Sequence, residues 1–157
     1  MGVTAIVRDT VRARIVRSDK DSHFSGALAQ NAAELESLDL PGQWGSRCSE
    51  FVVENIVIIA DQALEWDLFL WGSDGADDAD LDLDTFVDYV NFPAASGKQV
   101  AGAGSYYYAS PSDLGIPVTV TNNKLNLSLV NRSVTAKNAG ATGEVVVICT
   151  LRPVFGA

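Results

Sequence analysis

Hydrophobic and polar positions trade places with a period of two along most of this chain, and that rhythm predicts strands. In Val3–Arg17 the alternation is clearest where Val11, Ala13 and Ile15 enclose Arg12 and Arg14, which predicts a half-exposed strand or extended arm. Ser18–Gly45 is polar, interrupted by Ala27–Leu38, where a short helix is expected around Ala29–Leu35. Phe51–Ala60 holds Val52, Val53, Ile56, Val57, Ile58 and Ile59, the β-branched content of a long strand covered on both faces or entering a subunit contact. After a break at Asp61–Ala63, Leu64–Trp71 sets Trp66, Leu68 and Leu70 against Asp67, Phe69 and Trp71. The two runs read as a hairpin.

Gly72–Asp84 offers too little apolar surface to offset the entropy of ordering it and is expected to be a loop. Phe86–Phe92 resumes as a strand, with Phe86, Asp88, Val90 and Phe92 opposed to Val87, Tyr89 and Asn91. Gly97–Gly104 is a flexible connection, and in the row Tyr106-Tyr107-Tyr108 the outer two share a face. Val118–Thr121 and Lys124–Val130 flank Asn122-Asn123, a pair suited to the left-handed backbone of a two-residue hairpin turn. Leu125, Leu127 and Leu129 mark a core face opposite Asn126, Ser128 and Val130, and Glu144–Leu151 closes the sheet. The expected fold is all-β: an antiparallel β-sandwich, jelly-roll-like, over residues 48–157, preceded by an extended N-terminal arm and irregular segment over 1–47.

Composition narrows the classes. With 157 residues, 47% apolar and 20% charged, the chain suits one globular domain. The longest apolar stretch, near Ile56–Ala60, is far below the roughly 20 residues of a spanning helix, and Met1–Ala5 is followed by arginines rather than a signal-peptide core. Folding in a cytoplasm, with no membrane partner, is the expectation. A net charge of −9 argues against a nucleic-acid partner. The charge is uneven, because Arg8, Arg12, Arg14, Arg17 and Lys20 open the chain while Asp74, Asp77, Asp78, Asp80, Asp82, Asp84 and Asp88 crowd its middle. Such polarity suits docking to an acidic surface or head-to-tail self-contact, although solvated loops give the same pattern.

Candidate chemistry is sparse. Cys48 and Cys149 are too few and too distant for a zinc site, and two buried reduced thiols are expected, with a disulfide left open. His23, the single histidine, reads as a surface residue. Asp78, Asp80, Asp82 and Asp84 alternate as calcium ligands can, but counting from Asp80 the EF-hand template meets Thr85 at position six and Asn91 at position twelve, so a solvated loop is the plainer reading. No triad, Gly-x-Ser-x-Gly elbow or phosphate-cradling loop is present in the sequence, and no enzyme, cofactor or metal is expected. Tyr106–Tyr108 with Trp66 and Trp71 could form a sugar-stacking platform, though core plus interface accounts for them more economically.

One resemblance adds to this. The series Leu68-Phe69-Leu70-Trp71, an acidic loop, Leu81-x-x-x-x-Phe86, Val87-x-x-Val90-x-Phe92, Leu114-Gly115-Ile116-Pro117 and Leu125-x-Leu127-x-Leu129-Val130-Asn131-Arg132, spanning Glu50–Pro153, resembles small β-sandwich structural proteins of tailed bacteriophages. The resemblance implies a virion component, a capsid decoration (cement) protein on the capsid exterior, often a homotrimer, with the major capsid protein as partner. On that reading the contact residues are expected among Val3, Ile6, Arg8, Arg12, Arg14 and Arg17 of the arm, with Trp71 and Tyr107 of the sandwich. A carbohydrate- or host-receptor-binding virion module is the alternative.

Overall fold

The structure is a computed structural model that describes residues 14–18, 23–40, 49–72, 85–99, 104–111, 113–139 and 145–154. Among these, the chain runs β1 (Arg14–Arg17), β2 (Ala33–Asp39), β3 (Glu50–Ala60), β4 (Trp66–Trp71), β5 (Phe86–Phe92), a 3-10 turn (Ala94–Ser96), β6 (Lys98–Gln99), β7 (Tyr106–Ala109), β8 (Ile116–Thr119), β9 (Lys124–Asn131) and β10 (Val146–Val154). One sheet has the order β1-β10-β3-β7-β6, with β8 also pairing β3, and the other has the order β2-β9-β4-β5. The named strand pairs are antiparallel. The chain crosses repeatedly between the layers, β1 to β2, β2 to β3, β3 to β4, β5 to β6, β8 to β9 and β9 to β10. That is the double-sheet order of a jelly roll, and it agrees with the expected fold class.

The core fills the space between the sheets. Leu125, Leu127 and Leu129 of β9, Trp66, Leu68 and Leu70 of β4, and Val90 and Phe92 of β5 are buried there with Phe51, Val53, Ile56 and Ile58 of β3 and Val147, Cys149 and Leu151 of β10. Each such side chain contributes about 1.5–3 kcal/mol by leaving water. Tyr108 is buried and Tyr106 packs against the same core, so the paired outer tyrosines face inward as their spacing predicted.

Several expectations need correction. The segment expected as a helix around Ala29–Leu35 ends in β2, which pairs β9 from Ala33↔Val130 to Asp39↔Lys124. As a strand it is held by neighbouring chain: Glu34 accepts the Gly26 N–H at 3.0 Å and Glu36 bonds His23 at 2.8 Å. His23 is therefore half-buried against Glu36 rather than a free surface residue. Within the 1–47 segment expected as an arm and irregular stretch, β1 and β2 are strands of the two sheets.

β3 and β4 do not form the expected hairpin, since they lie in opposite sheets. Nor is β3 fully covered on both faces: its buried residues run Phe51, Val53, then Ile56 and Ile58. A register shift, with Thr150 opposite Asn55 and Leu151 opposite Val53, makes Glu54 the extra residue and changes the parity of the inward face. The Asn122-Asn123 turn is as expected, with φ of 54° and 60° and a Lys124 N–H bond to Thr121 O at 3.0 Å. It joins strands of different sheets, so the hairpin consists of the single bridge Thr121↔Lys124.

Candidate binding surface on the four-stranded sheet

On the outer face of the β2-β9-β4-β5 sheet, strand register lines side chains up in rows. Phe69 of β4 stands between Ser128 of β9 and Tyr89 of β5. Trp71 stands between Asn126 and Phe86, and Asp67 between Val130 and Asn91. The sequence placed Phe86 with the inward residues Val90 and Phe92. A register shift between Leu70 and Trp71 leaves Val87 as an extra residue on β5, so Val87 packs on the core and Phe86 joins Trp71 outside.

The result is a connected aromatic cluster. Phe69 stacks on Tyr89 with centroids 5.3 Å apart and planes 21° apart, and on Trp71 at 6.1 Å and 17°. Phe86 lies 5.7 Å from Trp71 in an edge contact and 6.0 Å from Phe69. Tyr89 is 52% exposed and Phe86 39%, whereas Trp71 is only 3% exposed. The Trp71 indole N–H donates to Ser128 Oγ at 2.8 Å, and Ser37 Oγ bonds Asn126 Oδ1 at 2.6 Å. The face of β9 expected to be polar is buried at Asn126, Ser128 and Val130, and these bonds satisfy the Asn126 Oδ1 and Ser128 Oγ atoms there.

A polar network borders the rings. Asp67, itself buried, accepts Asn91 Nδ2 at 2.7 Å and Arg132 Nε at 2.5 Å. Asn91 Nδ2 also reaches Glu65 Oε1 at 3.1 Å, and Arg132 Nη1 reaches Asn31 Oδ1 at 3.1 Å. Arg132 sets its guanidinium carbon 5.9 Å from the Phe69 ring centre, within cation–π range. The arginine thus ties the β9 end, the β1–β2 connection and the aromatic cluster into one rigid corner.

The residues singled out from the sequence scatter. Val3, Ile6, Arg8 and Arg12 lie outside the described residues, as do Cys48, Asp74, Asp77, Asp78, Asp80, Asp82 and Asp84. Arg14 and Arg17 belong to edge strand β1, where Ile15 is 67% exposed and Arg17 is also exposed. Tyr107, 37% exposed, lies on the other sheet from Trp71, and Trp66 and Tyr108 are interior. The sugar platform imagined from Trp66, Trp71 and the tyrosine row is therefore not assembled. Sequence reasoning missed Phe69, Phe86, Tyr89 and Arg132 as a group, since only the bulge at Val87 brings Phe86 to the outside.

Other chemistry is muted. Burial pushes the Cys149 thiol up to about 12, which suppresses the reactive thiolate. Among the described residues no group of three or more His, Cys, Asp or Glu is placed to hold a metal ion, and no helix is long and apolar enough to cross a membrane.

No family model matches the chain. No curated protein matches it either. Among solved structures it is similar to the insecticidal delta-endotoxin Cry8Ea1 from Bacillus thuringiensis, with 15% identity and a TM-score of 0.42 over 91% of this chain and 24% of that one. It is similar also to the VP2 subviral particle of infectious bursal disease virus, with 12% identity and a TM-score of 0.39 over 90% of this chain and 33% of that one. A third likeness is to the heated full particle of Israeli acute paralysis virus, with 11% identity and a TM-score of 0.30 over 94% and 73% of the two chains. This chain spans about a quarter of the toxin and a third of VP2. At these scores the likenesses carry no argument about activity or partners. The class defined by the sheet order and the surface together is a jelly-roll β-sandwich with an aromatic outer face.

Proposed function

We propose that this chain is a bacteriophage virion structural protein, a capsid decoration (cement) protein that binds the outer capsid surface and stabilises the shell. The carrying observation is the edge strand β1, which exposes Ile15 and Arg17 and which follows, in the sequence, a basic stretch containing Arg8 and Arg12. A sheet edge with a basic approach suits strand addition or a reach to a neighbouring acidic subunit. Its partner on this reading is the major capsid protein, with homotrimeric sandwiches at local three-fold positions. Each contact would bury surface that exists only in the assembled shell, and the charge pairing would speed docking and make it salt-sensitive.

The test mixes purified shells with the full chain or with a chain lacking residues 1–13, followed by cryo-electron microscopy. Trimeric knobs with the full chain and bare shells with the truncated one are expected. Bare shells with both would overturn the decoration reading, and equal occupancy would overturn the role of the arm. A second reading, a carbohydrate- or host-receptor-binding virion module, is favoured by the exposed rings of Phe86 and Tyr89 beside the Asp67–Arg132 network.

A further inference from the structure

We propose that the corner formed by Tyr89, Phe86, Asn91 and Arg132 is a binding site for an uncharged saccharide, with Tyr89 as the stacking residue. This rests on the second reading above and is independent of the decoration reading. β5 is an edge strand, and Tyr89 is the last ring of the Trp71–Phe69–Tyr89 stack. One face of Tyr89 is supported by Phe69, and among the described residues no strand lies beyond the other. A supported, half-exposed ring is preorganised to receive the apolar face of a pyranose.

Area and charge select the occupant. The exposed parts of Tyr89 and Phe86 amount to roughly 200 Å², against about 800 Å² per partner in a stable protein–protein interface. That footprint suits one or two sugar rings rather than a second copy. The rim supplies hydroxyl partners: the exposed Asn91 side chain, Glu65, and an Arg132 guanidinium whose Nη2 lies outside its bonds to Asp67 and Asn31. Asp67 already neutralises Arg132, and Glu65, bonded to Asn91, adds negative charge at the rim. Anionic glycans are thereby disfavoured and neutral ones selected.

The experiment uses the full chain on an array of neutral and uronate- or sialate-bearing oligosaccharides, followed by calorimetry with the best neutral binder and with a uronate oligomer. Neutral binding is expected, weakened about tenfold by Tyr89→Ala, as loss of an aromatic contact predicts. Tyr89→Phe is expected to stay near the parent affinity because the ring face is retained. Both variants alter an exposed side chain, and circular dichroism checks their fold. Failure of every neutral saccharide at millimolar concentration, a preference for the anionic probes, or an affinity untouched by Tyr89→Ala would each overturn the proposal. Concentration-dependent dimerisation abolished by Tyr89→Ala would overturn it as well, assigning the face to a second copy. Shell binding would be unaffected by any of these results, so the two readings fail separately.

Discussion

Gly97 offers a test in which even the sign of the effect depends on one packing contact. Its φ of −62° and ψ of 125° are ordinary extended values, so the backbone itself does not demand glycine. On backbone grounds alone Gly97→Ala should stabilise by about 0.4–1 kcal/mol, because the unfolded chain loses freedom. The folded state opposes this. A Cβ at Gly97 would stand 2.7 Å from Cζ of Tyr108 and 2.9 Å from both Cε1 and Oη. Tyr108 is wholly buried, and β7 is pinned to β3 through Val57↔Ala109, Ile58↔Tyr108, Ile59↔Tyr107 and Ala60↔Tyr106. The ring has little room to retreat, and overpacking of this kind costs about 1–3 kcal/mol. The difference, a net loss of about 1 kcal/mol, corresponds to a Tm lowered by about 2–4 °C in a chain of this size. Thermal unfolding followed by circular dichroism reads this directly. Gly104→Ala is the control, since a Cβ there meets nothing within 4 Å. An unchanged or raised Tm for Gly97→Ala would refute the close approach of the 3-10 turn to Tyr108.

Three further outcomes are expected. The Cys149 thiol, pushed up to about 12 by burial, keeps its proton in the folded chain while the unfolded chain loses it near the ordinary thiol range of about 8.5. The stability this confers is complete below about pH 8.5 and is lost as pH rises toward 12, so the urea midpoint should fall across that window, and less steeply in Cys149→Val. Lys137 is buried, donates to Gly26 O and lies 3.9 Å from Glu34 Oε2; Lys137→Ala should cost about 3 kcal/mol in denaturant titrations and Lys137→Met less, and equal losses would refute a role for the ammonium group. Asn122→Ala, at a φ of 54°, should lose about 1 kcal/mol, checked by the same titration.

What could be read from the sequence was what alternates without interruption. Leu125, Leu127 and Leu129 announced the core face of β9, the tyrosine row announced its own inside and outside, and Asn122-Asn123 announced a left-handed turn. Two kinds of information were missing from the pattern. Which sheet a strand joins is not written in its own residues, so Phe51–Ala60 and Leu64–Trp71 looked like partners although five residues carry the chain from one layer to the other. Parity is also broken silently, at Glu54 in β3 and at Val87 in β5, because a bulge has no composition of its own. β2 escaped for a different reason: Glu34 and Glu36 gain partners only when the chain near His23, Gly26 and Lys137 folds over them. The candidate surface depended on the second of these breaks, which is why Trp71 was singled out and Tyr89 was not.

The bulge at Val87 also bears on how copies of this chain can pack at high local concentration. β5 is the outer strand of its sheet, and a flat outer strand carrying Phe86 and Tyr89 would be a template for another strand to join edge to edge. An extra residue increases the local twist and interrupts the regular spacing of backbone donors and acceptors at the point where the aromatic side chains emerge. The same irregularity that turns Phe86 outward therefore discourages continuation of the sheet into a neighbouring molecule. Apolar surface is displayed there with a built-in obstacle to fibre growth.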